Sequence, residues 1–138
     1  MTIHLSRPDG LLEQDGYAPA ALTTLTAGSR LLLLAGQLAV TPAGDTTTTD
    51  LAGQIHAALH NVATGVRGAG GEVADIARLT CYVVGWAPDM EEPFWEGVSR
   101  AQESDGFGSP MPPLTVVGVQ ALWRPDLLVE IEATAVLD

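Results

Sequence analysis

The segment DLAGQIHAALHNVATGVRGAGG, residues 50–71, carries the first decision about the fold. Leu51, Ile55, Ala58, Leu59, Val62 and Val66 recur at three- and four-residue intervals, which places them along one side of an α-helix. Thr49 or Asp50 supplies the side-chain oxygen that caps the first turn, and Gly68-Ala-Gly-Gly71 permits the positive φ at which a helix stops. The next run, Ile76-Ala-Arg-Leu-Thr-Cys-Tyr-Val-Val84, is rich in β-branched and aromatic residues without helical spacing, and reads as a strand. A helix with one apolar side followed by an apolar strand is half of a two-layer packing.

Downstream, Pro88 to about Gln102 reads as a second helix, with Met90, Phe94, Trp95, Val98 and Ala101 on its apolar side and Pro93 near its first turn. The Gly- and Pro-rich stretch Asp105 to Pro113 is a loop. Two strands follow, about Thr115 to Leu122 and Leu127 to Val136, separated by Trp123-Arg-Pro-Asp126. Upstream, residues 20–26 and Arg30 to Ala35 flank a Gly28-Ser29 turn, which predicts a hairpin ending at Gly36-Gln37. The order strands, helix, strand, helix, strands predicts an α+β fold, a sheet with both helices on one face. At 138 residues, with no long linker and no repeat, the expectation is a single domain over 1–138.

Charge narrows the chemistry. Seventeen Asp and Glu against six basic residues give a net charge of -11, and the pI is about 4.4. Such a field repels polyanions, so neither nucleic acid nor an anionic membrane is an expected partner. All six basic residues are arginine (7, 30, 67, 78, 100 and 124), and without lysine there is no Schiff base, no pyridoxal phosphate anchor and no P-loop. Leu31 to Ala35 is too short an apolar run to span a bilayer, and the first ten residues lack the apolar core of a signal peptide, so a cytoplasmic location is expected. Cys81 stands alone, which rules out an intramolecular disulfide and predicts a buried small hydrophobe. Glycines 65, 68, 70 and 71 do not form a dinucleotide-binding array. His56 and His60 share a helix face but lack a third ligand at a matching interval, so they read as a solvated pair; no metal and no cofactor are expected.

In the last strand, Val129, Ile131 and Ala133 alternate with Glu130, Glu132 and Thr134, which sets two carboxylates on one face of the sheet. That alternation fits a solvated outer face. It equally fits a cleft in which desolvation and a neighbouring carboxylate raise one pKa until the group serves as an acid or base. Trp86, Trp95 and Trp123 read as filling a core or subunit interface, with Trp123, in a loop, best placed to meet a ligand.

Five short motifs then fall in a specific order: Gly16-Tyr17-Ala18-Pro19-Ala20, Leu34-Ala-Gly36-Gln37, Gln54 with Asn61, Ala69-Gly70-Gly71, and Leu128-Val-Glu130-Ile-Glu132-Ala133. From about residue 14 to the C-terminus this pattern resembles the Rid family, also called the YjgF family. The resemblance implies a chorismate-mutase-like mixed sheet backed by two helices, a homotrimer with sites in the clefts between subunits, and hydrolysis of reactive enamines and imines to ketones and ammonia. It also implies that Glu130 positions or activates the attacking water and that Tyr17 stands at the mouth of the site. The family's Pro-Ala-Arg-Ser/Thr segment falls on Pro112-Pro113-Leu114-Thr115 if the Trp123 to Asp126 loop carries one extra residue, so Leu114 replaces the arginine that grips a substrate carboxylate. Arg124, beside Trp123, is the only basic residue close in sequence to this region and the candidate substitute for it. Two functions follow as expectations: a hydrolase for a less acidic, more apolar small-molecule intermediate, with Glu130 as acid/base and Tyr17, Leu114, Trp123 and Arg124 about the substrate; or a catalytically inactive protein of the same fold that binds a metabolite or a pathway enzyme.

Overall fold

The computed structural model describes residues 3–138. Strands β1 (His4–Ser6) and β2 (Ala20–Leu22) form a small antiparallel pair. The main sheet comprises β3 (Arg30–Gln37), β4 (Ile76–Val84), β5 (Leu114–Val119) and β6 (Val129–Leu137), in spatial order β3-β6-β4-β5. β6 runs antiparallel to both β3 and β4, while β4 and β5 are parallel, so the sheet is mixed. Helices α1 (Leu51–Gly68) and α2 (Glu91–Asp105) pack against each other, with α1 also against β3 and β6. Among the described residues, no helix is long and apolar enough to cross a membrane.

α1 begins and ends where the sequence places it. The Asp50 carboxylate accepts a hydrogen bond from the Gly53 amide at 2.8 Å, and Gly70, at φ +86°, turns the chain out of the helix. The β4 limits agree with expectation, and Leu79, Cys81 and Val83 bury their side chains under the helices. The expected hairpin over 20–35 does not form. Thr26 and Ser29 still make a tight turn, the Thr26 amide donating to Ser29 Oγ at 2.7 Å, but the arms diverge: β2 pairs with β1, and β3 pairs with β6. Leu32 and Leu34 pack on the helix layer, which β3 reaches beside β6, and Arg30 ties that strand to the chain end through Nε and Nη2 on the Asp138 carbonyl at 2.9 and 2.7 Å. The final two strands, β5 and β6, are separated in the sheet by β4.

Burial pushes the Cys81 thiol up to about 12. A disulfide reagent at pH 8 is therefore expected to leave Cys81 unmodified in the native protein and to modify it stoichiometrically after denaturation; rapid native labelling would contradict this packing.

Candidate functional site

Helices cover one face of the sheet, and the other bears Glu130, Glu132 and Thr134 of β6 beside Thr80 and Tyr82 of β4. Leu31 and Leu33 of β3 and Val117 of β5 stand on the same face, 66%, 71% and 38% exposed. The two glutamates differ in their surroundings. Glu132 accepts a hydrogen bond from the Tyr82 hydroxyl at 2.8 Å, and this bond, burial and the carboxylate charges raise the Tyr82 pKa. Glu130 instead folds over Gly36, where an added methyl would overlap its carboxylate. Among the described residues, no side-chain hydrogen bond or ion pair engages Glu130.

Two polar side chains of α1 fix the backbone on either side of this pair. Gln54, fully buried, donates to the carbonyls of Thr48 at 3.0 Å and Asp126 at 2.8 Å, and accepts from the Leu128 amide at 2.8 Å, just before Glu130. Asn61 donates to the carbonyls of Leu38 at 2.8 Å and Val40 at 3.1 Å, just after Gly36. A buried amide with its partners satisfied on two loops holds both in register.

Tyr17 and Leu114 meet elsewhere, in a cavity of about 300 Å³ beside α2, lined also by Trp86, Glu91, Phe94, Trp95, Thr115 and Val116. Tyr17 is placed by a parallel bridge to Met111, in which the Ala18 amide donates to the Met111 carbonyl at 2.8 Å and the Met111 amide to the Gly16 carbonyl at 3.0 Å. Phe94 stands edge-on to both indoles, with centroids 5.8 Å from Trp86 and 5.2 Å from Trp95. The Trp95 ring lies so close over Gly16 that an added Cβ would come within 2.6 Å of it. Leu114 pairs with Leu79 on the helix-covered face, whereas Glu130 pairs with Tyr82 on the open face, so one chain does not bring Leu114 and Glu130 together.

Trp123 and Arg124 occupy a third place. Trp123 is 71% exposed, and the Arg124 guanidinium lies 5.0 Å from its ring centroid. Arg124 donates to the Gly44 carbonyl at 2.8 Å and to Thr46 Oγ1 at 2.9 Å, and pairs with Asp126 at 3.5 Å. These contacts fasten it to the loop between β3 and α1, away from Leu114.

His56 and His60 are not simply solvated. Both reach α2: His56 Nε2 lies 2.8 Å from Ser104 Oγ, and His60 Nδ1 lies 2.9 Å from Asp105 Oδ1. Ser104 donates to Asp105 Oδ2 at 2.8 Å, and Arg67 donates to the Asp105 carbonyl at 2.6 Å. Among the described residues, no group of three or more His, Cys, Asp or Glu is placed to hold a metal ion. Burial by itself pushes the Asp105 carboxyl up, but the hydrogen bonds from Ser104 and His60, with the charges of His60 and Arg67, outweigh it and hold the carboxyl below the ordinary Asp value. A depressed folded-state pKa stabilises fully above the unfolded value, near ~3.9, and the contribution is lost as pH falls through the folded value. Asp105→Asn is thus expected to lower unfolding stability by about 2 kcal/mol at pH 7 and by progressively less below pH ~4; urea titrations at both pH values check this.

The aromatic cavity is the part that sequence reading missed. Its signal is the density of rings between Trp86 and Trp95, together with the glycine that precedes Tyr17.

Residues 16–137 match the family model described as Endoribonuclease L-PSP. Among solved structures, the chain is similar to YyfB from Yersinia pestis, described as a protein of unknown function of the conserved Rid protein family, with 31% identity over 99% of this chain and 100% of that one and a TM-score of 0.83. It is similar to E. coli TdcF with bound serine at 25% identity, covering 100% and 99% of the two chains, with a TM-score of 0.67. The YjgF gene product from E. coli is also 25% identical, over 95% of this chain and 91% of that one, with a TM-score of 0.66. No curated protein sequence matches the chain.

Proposed function

The chain belongs to the Rid family, whose model carries the description endoribonuclease L-PSP, and from that premise we propose that it is a hydrolase of enamine- or imine-type intermediates in which Glu130 is the acid/base. The observation that carries this reading is the Glu130 carboxylate laid over Gly36 with its oxygens uncommitted, while Glu132 is engaged by Tyr82. A free carboxylate beside a polarised C=N bond takes a proton from water as the water oxygen attacks the carbon. The carbinolamine that forms collapses as Glu130 returns the proton to nitrogen and the C–N bond breaks, and the hydroxyl proton passes through the freed carboxylate to the departing ammonia. Water and iminium thus give ketone and ammonium, and no redox partner or metal enters the balance.

The site is composite in this reading. Leu114 and Glu130 face opposite sides of the sheet, so the Tyr17–Leu114 cavity of one subunit meets the Gly36–Glu130 face of the next. A homotrimer meets that requirement and covers Leu31, Leu33 and Val117. A light-scattering mass near that of one chain at micromolar concentration would refute it.

The test of function is ammonia release from imines generated in situ, with carboxylated and uncarboxylated members compared. Each charge-assisted hydrogen bond that a carboxylate loses at Leu114 costs roughly 1.5–3 kcal/mol, so the uncarboxylated substrates should be favoured by at least about tenfold. Leu114→Arg should narrow or reverse that preference. Ammonia release from none of them would refute the hydrolase, and saturable binding without turnover would favour a metabolite-binding role.

A further inference from the structure

We propose that the cavity lined by Tyr17, Trp86, Glu91, Phe94, Trp95 and Leu114 selects a small organic cation carrying an aromatic group, so that the natural substrate class is a protonated arylalkyl imine. This rests on the hydrolase reading above, and it names the substrate class for that site.

The lining has a definite electrical character. Four of its side chains are aromatic rings, whose faces attract cations, and the one ionisable side chain other than Tyr17 is a carboxylate, Glu91. None of the six arginines lines it. Arg7, Arg67, Arg100 and Arg124 pair with Asp15, Asp105, Glu96 and Asp126, Arg30 holds the Asp138 carbonyl, and Arg78 stands beside Glu132 on the opposite side of the sheet. A carboxylated ligand would leave water for a pocket without a counter-charge, and would meet Glu91. An iminium or ammonium group meets both a carboxylate and ring faces. Leu114, 9% exposed, contributes apolar surface and no charge to the lining.

Shape adds the second requirement. A volume of about 300 Å³ lies at the small end of ligand cavities, enough for one ring and a short chain. The half-buried Trp86 and Trp95 rings, nearly perpendicular to the buried Phe94 between them at 87° and 88°, present surfaces on which a ligand ring packs edge-to-face. Gly16 admits the Trp95 ring and Gly118 the Trp86 side chain, whose Cβ would lie 3.1 Å from an added methyl, so the rings are held by close backbone approach. Glu91 opens α2 at the exposed rim, where a cationic head can reach it while the ring enters.

Binding of unreactive probes to the intact protein tests this by calorimetry. Phenethylammonium should bind at least about tenfold more tightly than propylammonium, which lacks the ring, than 2-phenylethanol, which lacks the charge, and than phenylalanine, which adds a carboxylate. Glu91→Gln should weaken phenethylammonium about fivefold or more and leave 2-phenylethanol unchanged, whereas Trp86→Ala should weaken both. Phenylalanine binding as tightly as phenethylammonium, affinity for the cation that ignores Glu91→Gln, or no binding at millimolar probe would each overturn the proposal. The two readings fail separately. Cation binding that depends on Glu91, with no ammonia released from any imine, would end the hydrolase reading alone. Ammonia release that ignores Glu91 and the ring would end the selectivity proposal alone.

Discussion

Glu130→Gln is expected to reduce ammonia release from the best imine substrate by about two to four orders of magnitude, the usual contribution of a positioned acid/base. Glutamine keeps the length and shape with which Glu130 lies over Gly36, and the lost charge takes no hydrogen bond from any described side chain, so folding should survive. Matching thermal melts of the two proteins check that. A companion change, Gly36→Ala, leaves Glu130 in the sequence but drives its carboxylate from its resting place, and should cost a similar factor. Glu132→Gln removes the charge of the carboxylate that accepts from the Tyr82 hydroxyl, keeps an acceptor oxygen there, and should affect the rate far less. If Glu130→Gln turns over at the wild-type rate, Glu130 is not the acid/base.

The largest expected loss of stability comes from Gly97→Ala. An added Cβ at Gly97 would lie 2.5 Å from the Ala52 carbonyl oxygen and 2.6 Å from Ile55 Cβ, and both belong to the α1 framework rather than to a side-chain tip that can swing aside. The helices must separate, and overpacking of this kind costs about 3 kcal/mol, or a fall of roughly 10 °C in melting temperature for a domain of this size. Gly68→Ala is the control. It lies at the end of the other helix with no atom within 4 Å of an added Cβ, so the intrinsic helix preference for alanine should leave stability unchanged or raise it by up to about 1 kcal/mol. Equal melting temperatures for Gly97→Ala and wild type would mean that the helix contact is looser than described.

α1 and β4 were legible because their information is local: a 3.6-residue period between Asp50 and Gly70, then a β-branched run with its limits at Ile76 and Val84. The partner of each strand was not. A Gly-Ser turn between two apolar runs satisfies every short-range requirement of a hairpin, yet β3 buries Leu32 and Leu34 only beside β6, about a hundred residues away in sequence, and no local pattern encodes that pairing. Glu130 and Glu132 were visible as an alternating pair, but which face they occupy depends on where the helices pack. The same holds for Gln54 and Asn61, conspicuous only as parts of a family pattern until their hydrogen bonds place them at the ends of the strands that carry Gly36 and Glu130. The Trp86, Phe94 and Trp95 rings, read singly, looked like core or interface, and they line a pocket only through the loop that brings Tyr17 against Met111.

β3 lies at the margin of the sheet, bonded on one side to β6, with Leu31 and Leu33 turned outward. A single chain therefore carries an unpaired strand edge flanked by leucines, which is a template for adding foreign strands and growing aggregates. The charge of -11 is then a safeguard for solubility, since repulsion between chains slows their encounter. Ionic strength weakens that safeguard, because screening shortens the reach of repulsion to about 8 Å at physiological salt. Storage of the protein in concentrated salt therefore invites precipitation.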